Sequence, residues 1–216
     1  MSTKKIETDS KGIPLKGPYP DNPPVAVLYL VMTTVQTFIT TAIAYYVIAK
    51  DNTTKTDAKL ALLIEHDLGY LYVTSIIYKL GFLLMGINAG QTRKESKIHT
   101  PDQHVYQVQG AEGSKLGYVL LQNDDQAFGR FNRAQRAIAN YLETFPQVVL
   151  YTLLAGFMYP KEVMILAILL ILSRLVNAIG YTKSADRRIT GFMLANLTVG
   201  VLEGLVIIIS ARCFMN

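Results

Sequence analysis

Apolar residues in this chain are gathered into long runs, and that distribution constrains the fold more than any other feature. Five windows approach the roughly 20 residues a helix needs to cross a bilayer. They are Val25–Ala49, about Leu68–Ala89, about Ala137–Tyr159, Val163–Tyr181 and Ile189–Ala211. A hydrophobic content of 50% would equally suit a soluble core, so the spacing decides, and it decides for membrane. The expected fold class is all-α, an integral membrane helical bundle. The second window is the most polar, since it holds Lys79 and several tyrosines.

Between these windows the chain is basic. The formal net charge is +5. Because the cations flank apolar runs, anionic headgroups and topology explain them better than nucleic acid does. Thirteen basic residues, from the tail, the long loop near 92–130 and the loop at 182–188, fall on one side of a five-span topology, against five on the other. That asymmetry predicts a cytosolic first side. Residues 1–24 read as a proline-rich polar tail, extended and mobile, with no apolar core of a signal peptide. Cys213 is the sole cysteine, which leaves no intrachain disulfide and no cysteine-based metal site. No His/Glu zinc motif, P-loop or GxGxxG stretch is present, and no metal is expected.

Taken in order, Val25–Ala49 is threonine-rich and uncharged, suited to packing or anchoring at the periphery. Lys50–Lys59 reads as a short polar turn carrying a sequon at Asn52. Glu65, His66 and Asp67 open the second helix; as consecutive residues they point to different sides, so they read as a solvated start. Lys79 is read as snorkelling or pairing with a carboxylate across the bundle. Pro146 should kink the third helix. Tyr159-Pro160-Lys161 should turn it back antiparallel to the fourth. In the last window Gly200 and Gly204 form a small-xxx-small pair, and Glu203 reads as a partner for Arg174 or Lys79.

The polar residues at one mouth of these helices carry the functional signal. Arg133, Arg136, Asn140 and Glu143 recur at spacings of three, four and three, which stacks them along one helix face. With Arg93, Lys94, Tyr181 and Arg188 they converge on the same side of the membrane. Arginines fork onto carboxylates, a glutamate receives an ammonium, and asparagine donates and accepts. An anionic or zwitterionic ligand beside a lipid surface satisfies such a lining. An arginine beside a helix start can also lower the pKa of a bound thiol.

FNRAQRAIANYLETFP (131–146), AGFMYP (155–160) and SRLVNAIGYTKSADRRITGF (173–192) together resemble the MAPEG family of membrane glutathione transferases and eicosanoid enzymes. The nearest resemblance is to the branch of microsomal glutathione transferase type two and leukotriene C synthase. The resemblance implies a four-helix bundle at 59–212 with an enlarged loop at 92–130, preceded by one extra transmembrane helix at 25–49. It further implies a homotrimer with a glutathione site between neighbouring subunits. Arg136, Asn140 and Glu143 match the motif that holds glutathione, and Arg93 and Lys94 match a basic pair after the first family helix. Tyr181 matches the tyrosine after the motif glycine, and Arg188 the arginine credited with stabilising the thiolate. The implied function is a glutathione transferase or peroxidase acting on lipophilic electrophiles or lipid hydroperoxides. Its implied setting is the endoplasmic reticulum or another intracellular membrane, with the site facing the cytosol. Three departures stand out: Asn177 where leukotriene-forming members carry tyrosine, Ile138 where they carry glutamine, and Lys94 where some carry arginine. Retention of Arg188 and the whole Arg136, Asn140 and Glu143 set favours the enzyme, whereas the extra helix, the enlarged loop and the Asn177 and Ile138 changes favour the alternative, a non-catalytic lipid-binding scaffold or a structural subunit of a larger membrane complex.

Overall fold

A computed structural model describes residue 7 and residues 14–50, 53–100 and 126–215. Its regular elements are helices: α1 (Val25–Ala44, ending in a π-helical turn Tyr45–Ala49), α2 (Thr53–Glu65), α3 (Gly69–Ser96), α4 (Ala127–Met158), α5 (Pro160–Lys183) and α6 (Ile189–Met215). A 3-10 turn, Asp186–Arg188, leads into α6.

Among the described residues, four segments are long and apolar enough to cross a membrane: Val25–Ala49, Gly69–Ser96, Pro160–Lys183 and Asp186–Met215. The fifth expected window falls on α4, which is not among them because Arg130, Arg133, Arg136 and Glu143 make its first half polar. Its 32 residues nonetheless extend about 48 Å. Only Tyr159 separates it from α5, so it must run back along α5 through the same layer. Pro146 lies inside a helix that continues through it.

Helix α5 is the centre of the bundle, packing against α3, α4 and α6. Its Ala167, Leu170, Ile171 and Ala178 are buried with Tyr78 and Met85 of α3, Tyr141 and Val148 of α4, and Ala195 of α6. A second small core joins Ala155, Val163 and Leu202 nearer the other end. The opposite faces expose Leu153, Phe157, Ile165, Leu172, Val176 and Leu197, as lipid-facing positions should.

Helix α1 lies outside this bundle, on α3. The two helices approach closely at Gly90, where a Cβ would stand 3.0 Å from the Val25 side chain and 3.1 Å from the Tyr29 ring. Lys79 donates to the Thr37 hydroxyl at 2.9 Å.

Two expectations are corrected. Most of the stretch read as a polar turn is helix α2, an exposed helix that places its last residue at Glu65. The next helix starts at Gly69 rather than at Glu65, because Asp67 turns the chain with a φ of 56°. There its carboxylate meets Lys161 Nζ at 2.7 Å. The sequon at Asn52 and the loop residues 101–125 lie outside the described residues.

Candidate functional site

One end of the bundle collects the C-termini of α3 and α5, the N-terminus of α4 and the 3-10 turn. The last carbonyls of a helix have no partner within it and must find one elsewhere. At the end of α5 that partner is Arg133, 0% exposed, whose Nε donates to the Tyr181 carbonyl at 2.9 Å and whose Nη2 donates to Thr182 at 3.2 Å. Asn88 of α3 reaches the Thr182 hydroxyl at 2.8 Å. Glu95 and Arg130 pair at 3.2 Å between α3 and α4.

The turn carrying Arg188 is held just as closely. Asn177 donates from α5 to the Arg188 carbonyl at 3.3 Å. Gly191 brings the start of α6 against the backbone of Asn177, and Gly180 lies against the Arg187 carbonyl; a Cβ at either would collide with backbone. Tyr181 is buried, and the Arg188 guanidinium sits 4.8 Å above its ring centroid. No carboxylate stands within ion-pair distance of Arg188 among the described residues.

The expected residues stand at this end in three sets. Arg136 and Glu143, two turns apart on α4, pair with each other at 2.8 Å and are largely exposed. Asn140 lies between them, half-buried. Arg93, at the end of α3, is buried against the Phe131 ring and donates to the Ile98 and His99 carbonyls at 3.4 and 3.1 Å. Lys94 does not point outward to a ligand. It donates to the Pro20 and Asp21 carbonyls at 2.9 and 3.1 Å. Tyr181 and Arg188 form the third set.

The tail residues from 14 onward are therefore a strap and not a free end. Besides Lys94, His99 Nε2 meets the Lys16 carbonyl at 2.9 Å and Tyr19 meets Tyr29 hydroxyl to hydroxyl at 3.0 Å. Burial, and then that hydrogen bond, push the Tyr19 hydroxyl up to about 12.

The four-residue polar face expected on α4 splits. Arg133 turns inward as a helix cap while Arg136 and Glu143 turn outward, a difference that spacing alone does not carry. Nor does Glu203 pair with Arg174: it is exposed on α6, and buried Arg174 donates to the Thr144 hydroxyl at 2.9 Å. The Arg174 Nε and the Tyr141 hydroxyl are buried without a partner among the described residues. Below the polar end, α3 and α4 enclose an apolar cavity of about 450 Å³, lined by Leu71, Phe82, Leu142, Phe145 and Val149, with Lys79 also on its wall.

Chemically, the end offers an arginine and a glutamate that, among the described residues, pair with each other, and a second arginine parked on an aromatic ring. An exposed ion pair contributes roughly 0–1 kcal/mol, so exchange for a ligand carrying both charges costs little. Compared with known protein families, residues 71–208 match the model of the MAPEG family. No curated protein matches the chain.

Proposed function

The chain belongs to the MAPEG family, and from that premise we propose that it is a membrane glutathione transferase or peroxidase. One observation carries the reading. Arg136, Asn140, Glu143, Tyr181 and Arg188, distant in sequence, stand at the same polar end of an apolar bundle.

Glutathione carries two carboxylates, an ammonium and two peptide groups. In the proposed complex Arg136 leaves Glu143 for a ligand carboxylate, and Glu143 takes the ammonium. Asn140 donates to and accepts from a peptide group between them. Arg93 adds positive potential from its buried position. Arg188 leaves the Tyr181 ring and places its charge by the sulfur. That charge favours thiolate over thiol, and the proton departs to solvent. The thiolate then attacks an electrophilic carbon of a lipophilic acceptor, forming the S–C bond as the leaving group departs or a ring opens. With a hydroperoxide, the thiolate takes the terminal oxygen and releases the alcohol; a second glutathione then completes a disulfide and water. No protein nucleophile is required.

The count of basic residues supports a site facing the cytosol. The proposed setting is the endoplasmic reticulum or another intracellular membrane. A homotrimer completes the proposal. The apolar α3–α4 cavity favours a second reading, in which the protein is a non-catalytic lipid-binding scaffold.

Equilibrium binding of radiolabelled glutathione to the detergent-purified protein separates the two. The enzyme reading expects saturable binding, conjugation of an aryl halide, and an affinity about 10- to 100-fold weaker in Arg136→Ala, the loss of one charge-assisted contact. A parent protein that binds no glutathione ends that reading and leaves the scaffold.

A further inference from the structure

Helix α2 stands outside the bundle, and its second half does not suit water. Among its described side chains none is buried, and Leu60, Leu62 and Ile64 are each more than half exposed within the unbroken apolar run Leu60–Ile64. Five consecutive apolar residues left in solvent are costly, and a helix that keeps them exposed has a use for them.

The chain on either side fixes where α2 lies. Helix α1 runs antiparallel to α3: Tyr29 lies by Gly86 and Gly90, and Thr37 meets Lys79. From that last contact Ala49 is 12 residues further along α1 and Gly69 is 10 residues back along α3, about 18 and 15 Å of helix. The end of α1 and the start of α3 therefore reach the same level. Helix α2 is tied to both. Its last turn closes directly on α3, where the Leu68 N–H donates to the Leu63 carbonyl at 2.8 Å. Its first residue, Thr53, is three residues beyond Lys50, a reach of about 10 Å. The 13 residues of α2 extend about 20 Å. Standing along the spans, the helix would carry its first residue beyond that reach, so it lies across the ends of α1 and α3.

The level itself is marked. Lys50 sits 5.9 Å above the Tyr46 ring, Lys161 sits 5.5 Å above the Tyr70 ring, and Arg212 donates to the Tyr159 hydroxyl. Three tyrosines, each beside a cation, from the four membrane-length segments and the α4–α5 turn, form the aromatic belt of a membrane–water interface. We propose that α2 is an interfacial helix, seated in the lipid surface at the end of the bundle opposite the candidate site. Leu60, Leu63 and Ile64, spaced three and one, share a face and enter the boundary between headgroups and acyl chains. Ala58 and Glu65 lie on the other side, toward water. Lys55, Asp57, Lys59 and Glu65 cancel in charge, so the apolar run holds the helix rather than attraction to anionic headgroups. The helix thereby pins the link between α1 and the bundle to the bilayer, and this role does not rest on glutathione.

The chain contains no tryptophan, so a single one introduced into α2 reports alone. Leu60→Trp and Ala58→Trp, 200° apart around the helix, are compared in the full-length protein in phosphatidylcholine vesicles. The Leu60→Trp emission is expected to be quenched by lipid brominated near the top of its acyl chains, and to be at least about threefold less open to aqueous iodide than Ala58→Trp. Equal access of iodide to the two positions overturns the proposal, because the helix then stands in water. Shielding of Leu60→Trp from both quenchers also overturns it, because protein then covers the run. Replacing Leu63 and Ile64 by aspartate in the Leu60→Trp protein is expected to abolish the protection; protection that persists overturns the assignment of the run as the anchor.

Discussion

Replacing Arg133 by methionine should destabilise the protein more than any other single change at the polar end. The side chain is wholly buried and gives charge-assisted hydrogen bonds to the Tyr181 and Thr182 carbonyls. Methionine fills most of the aliphatic volume, so the loss is electrostatic rather than a cavity. Each bond to a charged donor contributes roughly 1.5–3 kcal/mol, and the abandoned carbonyls have no water to turn to, giving about 3–5 kcal/mol in total. At about 2–4 °C per kcal/mol for a chain of this size, the midpoint should fall by about 10 °C. The assay is a heating series on detergent-solubilised protein, followed by size-exclusion recovery of the folded peak. Arg133→Lys keeps the charge but loses the fork and should fall between the two. A methionine variant that melts within about 2 °C of the parent would refute the assignment of Arg133 as the cap of α5.

Other consequences follow from the same geometry. Gly191→Ala places a methyl group against the Asn177 backbone and should cost about 1–3 kcal/mol, visible in the same heating series. Lys94→Met removes the anchor of the strap, so limited trypsin digestion at Lys16 should accelerate severalfold while the bundle stays intact. The raised Tyr19 hydroxyl implies that the strap is held fully below pH 10 and loosens as the pH rises toward 12, because the folded form favours the neutral phenol. A spin label at Gly17 should gain mobility across that interval, and Tyr19→Phe should abolish the change.

Much of this architecture was legible before any coordinates, and the limits have physical causes. Apolar runs revealed α1, α3, α5 and α6 because lipid tolerates little else. Helix α4 was legible as well, although its arginines dilute its hydropathy, because its lower half is apolar and Tyr159-Pro160 turns it back. Helix α2 was not: TTKTDAKLALLIE reads as polar at its start, and nothing in the bundle holds it. Arg133 and Arg136 are the same residue type one turn apart, yet one caps α5 and the other faces outward. Only the position of α5 tells them apart. The strap was illegible for another reason. Lys94 is held by the backbone carbonyls of Pro20 and Asp21, acceptors that every residue possesses. Glu203 was read as a partner for Arg174 or Lys79, yet it is exposed on α6 and pairs with neither, because Arg174 turns to Thr144 and Lys79 to Thr37.

In the proposed reaction Arg188 is the group that holds the glutathione thiolate. Ultraviolet absorbance of the thiolate, recorded as glutathione is added to purified protein beside an Arg188→Ala variant, addresses it most directly. A saturating thiolate signal is expected in the parent, and its loss in the variant, with glutathione still bound. Binding without thiolate in the parent, or an undiminished signal in the variant, would contradict it.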